Sequence, residues 1–257
     1  MNSRLVTALL TTSLLGFGVS AYATDMVMCI EDQAASPFTF PNKDGTMQVL
    51  LKMAAKQTGI NLSFKVQAWK RCISDVQSNQ LSGLVNAGYT PFHADYAAFP
   101  LKPNGQINNA LSLARMDVMA YRLKQSKANW DGQVFSNLSK PVLMPSGFAT
   151  ISDRLKELKV DYDENTKEPL RNLYKMIAGQ GDIVLGFSDE MNTLIANRKD
   201  IQDKVEQLPA KFMTADYFAP VSKKFYNDNK DAVNNLWDAV GKIKATKEYQ
   251  DAIKNIK

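Results

Sequence analysis

Histidine and cysteine are scarce in this chain, with one His and two Cys among 257 residues. That scarcity excludes a good deal. A lone Cys pair with a single His makes a poor metal site, because zinc centres draw on about three or four such ligands. No H-E-x-x-H, no phosphate-cradling glycine loop and no recognisable Ser/His/Asp motif is present. No basic patch is interleaved with aromatic residues, so nucleic acid is not an expected partner. No cofactor is expected either. Beyond residue 23 no apolar run is long enough to span a bilayer, which argues against stable membrane insertion. The formal charge of +5 is mild and spread along the chain, and favours anionic solutes only weakly.

The first 23 residues read as an export signal. Arg4 supplies a short basic region, Leu5 to Val19 an apolar stretch, and Ala21-Tyr22-Ala23 a small-residue cleavage site. Cleavage after Ala23 is expected, with the mature chain in the periplasm. The competing reading, an uncleaved anchor, is disfavoured by the short apolar run. In an oxidising compartment two cysteines usually pair, so a Cys29–Cys72 disulfide is expected. Closing that loop stabilises by about 4 kcal/mol on a chain-entropy account.

Apolar spacing then divides the mature chain. Met26 to Ile30 reads as a strand, followed by a polar turn and a loop with aromatic tips at Phe38 and Phe40. Met47, Leu50, Leu51 and Ala54 recur at helical spacing up to Gly59. A strand over Ile60–Val66, a helix from Trp69 and a strand over Leu84–Ala87 complete a β-α-β-α-β run. After a long extended segment, Leu111–Leu123, a second β/α run follows. It contains strands at Pro141–Met144 and Asp182–Gly186, a helix after Ser146-Gly147, and helices at Leu170–Ile177 and Met191–Ala196. Two amphipathic helices close the chain. Length and repetition imply two lobes, joined near Ser112–Arg115 and Phe212–Asp216. The expected division is lobe one over 24–112 plus 213–257 and lobe two over 113–212.

The order of these features resembles a known family. Cys29-Ile30-Glu31-Asp32, the aromatic-Pro loop, Trp69-Lys70-Arg71-Cys72, Gly88-Tyr89-Thr90-Pro91, the Ser146-Gly147 turn and Gly179-x-x-Asp182-Ile183-Val184-Leu185 follow one another as in bacterial extracellular solute-binding proteins of family 3. Those are the periplasmic components of polar amino-acid ABC transporters. The Cys-x-Glu-Asp and Trp-Lys-Arg-Cys pairing is similar to one poorly characterised branch. The resemblance implies an α/β, two-lobed type II periplasmic-binding-protein fold with mostly parallel sheets, two hinge crossings and a discontinuous lobe one. It further implies a monomer that holds a small polar solute between its lobes and delivers it to an ABC transporter permease. An exported dehydratase of prephenate type, with Glu31, His93, Asp189 or Glu190 as general acid, and a ligand-loaded partner of a membrane sensor are the alternatives.

Family binding positions carry over one at a time. Where amino-acid-binding members place an Arg for the ligand carboxylate, six residues before a Phe, this chain has His93. Where they place an acid for the amino group, it has Phe187, with Asp189 two further on. Both anchors are altered, so ordinary α-amino acids are not expected ligands. The resemblance places Glu31, Phe38, Trp69, Gly88 and Tyr89 on the crevice. Ser146, Gly147 and Phe148 open a helix whose N–H groups can receive an anion. Arg71 either supplies charge to the ligand or pairs with Glu31 or Asp32. Phe38 and Phe187 are also readable as core, His93 as a surface or capping residue, and Trp69 as packing on the disulfide.

Overall fold

A computed structural model of the chain describes residues 24–256. The expected export signal lies outside the described residues. The N-terminal half begins with β1 (Asp25–Glu31), α1 (Thr46–Thr58), β2 (Asn61–Gln67) and α2 (Trp69–Gln77), then the short β3 (Gly83–Leu84), β4 (Ala87–Gly88), α3 (Pro91–Tyr96) and β5 (Ala97–Ala98). β6 (Ala114–Leu123) leads into the hairpin β7 (Asn129–Trp130) and β8 (Phe135–Ser136). Next come β9 (Val142–Pro145), α4 (Ala149–Glu157), β10 (Tyr162–Thr166), α5 (Pro169–Ile177), β11 (Ile183–Phe187), α6 (Ser188–Ala196) and α7 (Lys199–Gln202). The chain returns through β12 (Val205–Phe218) to β13 (Val221–Ser222) and the helices α8 (Lys223–Asp228), α9 (Lys230–Ile243) and α10 (Lys247–Ile253).

Two main sheets result. The first runs β2-β1-β3-β13-β5 and the second β10-β9-β11-β6-β12-β4. One end of each is parallel, as β-α-β repetition dictates: β1 with β2 and β3, and β9 with β10 and β11; the sheets are not the mostly parallel ones expected. The returning strands add antiparallel pairs, so both sheets are mixed. β6 and β12 form the long ladder that connects them, with Arg115 opposite Asp216 and Tyr217 opposite Ala114.

Two details differ from the sequence reading. Leu84–Ala87 is not one strand. Asn86 takes a left-handed φ of 67°, which Asn tolerates better than most residues. The chain therefore leaves the first sheet at β3 and joins β12 at β4. The connection expected near Phe212–Asp216 lies within one long strand, β12, which runs from Val205 to Phe218 because β6 pairs along it.

Apolar faces explain the layering. Met47, Leu50, Leu51 and Ala54 of α1 and Val233, Leu236, Trp237 and Val240 of α9 are buried in one core with Met26, Met28 and Ile30 of β1. Burial of such side chains contributes roughly 1.5–3 kcal/mol each before entropy is counted. Trp237 donates its indole N–H to the Ala219 carbonyl at 2.9 Å, so its polar edge is not orphaned. In the second sheet Leu143, Val184 and Tyr121 pack with Leu173, Met176, Met191 and Ile201. Gln48, almost fully buried, accepts the N–H groups of Phe40 and Gly45, both at 2.9 Å, and donates to the Phe40 carbonyl at 3.2 Å. That one side chain pins the aromatic loop, and with it Phe38, to the start of α1.

Candidate functional site

Loops following parallel strands gather at the carboxyl edge of a sheet. Here the edges of the two sheets enclose a cavity of about 570 Å³. Glu31 stands at the end of β1 and Gly88 at the end of β4, with Trp69 at the first position of α2 and His93 in α3. From the other side come Ser146, Gly147 and Phe148 after β9, and Phe187 and Asp189 at the β11–α6 junction. All of these, with Phe38, line the cavity.

The remaining two expected site residues do not. Arg71 projects outward, 73% exposed, and pairs at 3.8 Å with Asp75, one helical turn on. It meets neither Glu31 nor Asp32, because four-residue spacing puts Asp75 on its own face of α2. Tyr89 turns away from the crevice and packs edge-on against Phe99, with ring centroids 5.2 Å apart. It lines a separate hollow with Leu101, Tyr226 and Trp237. Strand alternation is the cause: Gly88 faces the cavity, so its neighbour faces the opposite side.

Each retained residue has a physical reason for its place. The disulfide is formed, with Cα atoms 5.6 Å apart, and Trp69 packs on the buried cluster of Cys29, Cys72, Val76 and Leu84. α3 begins with Thr90, whose hydroxyl accepts the His93 N–H at 3.1 Å. Nδ1 of His93 lies 2.9 Å from the Gly88 carbonyl. A carbonyl only accepts, so Nδ1 carries the proton and the neutral ring keeps Nε2 as an acceptor. Burial lowers the His93 pKa below its ordinary value, against the opposing pull of the Gly88 carbonyl and Asp153. As this is the only histidine in the chain, its ring resonances titrate without overlap. The expected midpoint by NMR lies below 6.5, and a midpoint at or above 6.5 would contradict a buried neutral ring. By linkage the unfolded chain then binds the extra proton as pH falls through 6.5, so this group's contribution to stability is lost on acidification.

Phe148, Phe187 and Tyr217 form an aromatic wall, with centroids 4.8 Å apart for Phe148–Phe187 and 5.9 Å for Phe187–Tyr217. Trp69 meets His93 edge-on at 6.4 Å. Gly147, with φ of 91°, takes the left-handed turn that opens α4. The N-cap of α4, Phe148, makes no side-chain capping bond. The first N–H groups of that helix are therefore open to a guest.

Several cavity residues were not expected from the sequence. Arg115, Asp117, Lys211 and Thr214 reach it from the connecting strands, and Lys167 from a loop; Glu190, expected only as an alternative general acid, also lines it. The alternation Arg115-Met116-Asp117 at the start of a long apolar strand was the available signal. Arg115 grips Asp216 in a two-pronged pair at 3.0 and 3.1 Å. Lys211 pairs with Asp117 at 2.8 Å. Lys167 pairs with Glu31 across the cavity, joining the second sheet's loops to the first sheet's edge. Asn86 Oδ1 is buried in the wall without a hydrogen-bond partner. The Tyr217 hydroxyl is buried beside that of Thr150, but the two miss good hydrogen-bond geometry, so neither has a well-formed partner. Among the described residues no cluster of His, Cys, Asp and Glu suits a metal ion. Nor is any helix long and apolar enough to cross a membrane.

No protein-family model matches the chain, and no curated protein matches it. Solved structures do. A histidine kinase sensor domain with similarity to periplasmic binding proteins superimposes with a TM-score of 0.64 at 15% identity, covering 90% of this chain and 95% of that one. The amino acid ABC transporter substrate-binding protein AbpA of Streptococcus pneumoniae, bound to L-arginine, gives 0.62 at 15% identity, covering 90% and 94%. The GluR0 ligand-binding core of Nostoc punctiforme, in complex with L-glutamate, gives 0.61 at 14% identity, covering 89% and 98%. With two mixed sheets, two connecting strands and a cavity between the sheet edges, the chain has the two-lobed α/β fold of type II periplasmic binding proteins.

Proposed function

We propose that the protein captures a small polar solute between its two lobes and passes it to a membrane partner. Lobe one is taken as residues 24–112 and 213–257, lobe two as 113–212. The carrying observation is the cavity itself. It draws its walls from both sheet edges and holds the buried, partnerless Asn86 Oδ1 and the poorly matched Tyr217 and Thr150 hydroxyls. A buried polar atom without a partner costs about 1–3 kcal/mol, and a bound solute that matches it removes that cost. The periplasm, after cleavage at Ala23, is the proposed compartment, and the disulfide is consistent with it.

An ABC permease is the first candidate partner. A sensor is the second, favoured by the likeness to a kinase sensor domain. Binding is preferred over catalysis because the solved structures that superimpose on the chain are solute-binding proteins and ligand-binding or sensor domains. Ordinary α-amino acids are not the proposed ligands, since His93 and Phe187 stand where the resembled family has its anchors.

Thermal-shift screening of residues 24–257 against polar metabolites tests the reading. A solute at 100 times its dissociation constant stabilises by about 2.7 kcal/mol. Trp69→Ala is expected to weaken the best solute tenfold or more, about 1.4 kcal/mol. Tyr89→Ala, which alters a side chain outside the cavity, is expected to leave binding within about twofold of the parent, well below that 1.4 kcal/mol. Equal losses from both substitutions would place the solute elsewhere.

A further inference from the structure

The whole chain is mildly basic, yet the charge left unpaired in the cavity is negative. Three cations reach it, and each is already neutralised: Arg115 by Asp216, Lys211 by Asp117 and Lys167 by Glu31. Two further carboxylates, Asp189 and Glu190 on the first turn of α6, line the cavity. Among the described residues neither has an ion-pair or side-chain hydrogen-bond partner. Asp189 is exposed and Glu190 half-buried.

The neutral groups point the same way. Asn86 Oδ1 is an acceptor without a donor. His93, with Nδ1 committed to the Gly88 carbonyl, offers Nε2 as an acceptor rather than a positive charge. Phe148 and Phe187 line the cavity beside the start of α6, and aromatic rings suit a cation better than an anion. For an anion, by contrast, the donors left are neutral: the backbone N–H groups opening α4 and the Tyr217 and Thr150 hydroxyls. A carboxylate that needs a cationic partner would have to break one of the three ion pairs.

We propose that the crevice selects a small organic cation, a protonated amine on an apolar body, and that capture needs no carboxylate on the guest. This rests on the crevice being the solute site. Asp189 and Glu190 receive the ammonium, Asn86 and His93 accept its N–H groups, and the aromatic wall covers the apolar body. Burial pushes the Glu190 carboxyl upward from its ordinary range, and an arriving cation offsets that penalty.

Calorimetry with two bodies and three head groups tests the assignment. The probes are 2-phenylethylamine, 2-phenylethanol and 3-phenylpropionate, then 1-aminohexane, 1-hexanol and hexanoate, with L-phenylalanine as the zwitterion. At least one amine is expected to bind tenfold or more tighter than its alcohol and its acid, and 2-phenylethylamine at least as tightly as L-phenylalanine. Asp189→Asn with Glu190→Gln is expected to abolish the amine preference, lowering amine affinity tenfold or more relative to that of the matching alcohol. The assignment is overturned if neither amine outbinds its alcohol, or if the double variant keeps the preference. Acid binding that is lost in Trp69→Ala would mean that the crevice holds solutes but of the other charge. Amine binding untouched by Trp69→Ala would instead defeat the crevice reading itself.

Discussion

Replacing both cysteines by alanine is expected to lower the unfolding free energy by about 4 kcal/mol, from the entropy returned to a loop of 43 residues. For a chain of this size that corresponds to roughly 8–16 °C in unfolding midpoint, at about 2–4 °C per kcal/mol. The effect on the site is expected to be larger than a uniform loss of stability implies. α2 has no side-chain cap at its N-terminus, and Cys72 and Val76 are its only buried residues. Its attachment to β1 therefore depends heavily on the sulfur bridge, and Trp69 sits at its free end. Urea unfolding with and without reductant measures the first effect, and solute titration of the variant the second. A stability loss below about 1 kcal/mol would mean that the loop constraint contributes little in the unfolded chain.

Gly88→Ala is expected to weaken solute binding at least tenfold. A Cβ at this position would lie 2.6 Å from Cγ2 of Thr150, at the start of α4 on the facing side of the cavity. Carbon atoms in contact need about 3.5–4.0 Å, so β4 and α4 must separate. Thr150 cannot turn its methyl away cheaply, because a β-branched side chain has few allowed rotamers. The partner variant makes the test specific. Thr150→Ser removes the methyl and keeps the hydroxyl, so Gly88→Ala with Thr150→Ser is expected to recover most of the affinity. If Gly88→Ala binds normally, or if the second change restores nothing, the close approach of these two elements does not govern binding.

Much of the layout was legible in advance because it depends on local periodicity. Helical spacing at Met47, Leu50, Leu51 and Ala54, and the apolar runs at Met26–Ile30 and Ile183–Leu185, need only their own neighbours to declare themselves. Site residues at the ends of strands were legible through the family resemblance; parallel topology accounts for Glu31, Phe148 and Phe187, whereas Gly88 ends a strand antiparallel to β12. Arg71 and Tyr89 were misplaced because side-chain direction at an element's end depends on its phase, and one residue reverses it. Arg115, Asp117 and Lys211 in strands, and Lys167 in a loop, went unseen because a charged residue looks the same in sequence whether it faces water or a cavity.

The sequence by itself determined most of the element order, the pairing of its two cysteines and the doubled β/α arrangement. Each follows from composition or spacing. Only the tertiary structure decided which charges in the cavity remain unpaired. Glu31 and Lys167 are 136 residues apart, Arg115 and Asp216 101, and no local pattern relates such partners. Coulomb interaction depends on distance in space, so a chain that is basic overall still presents unpaired carboxylates to its guest.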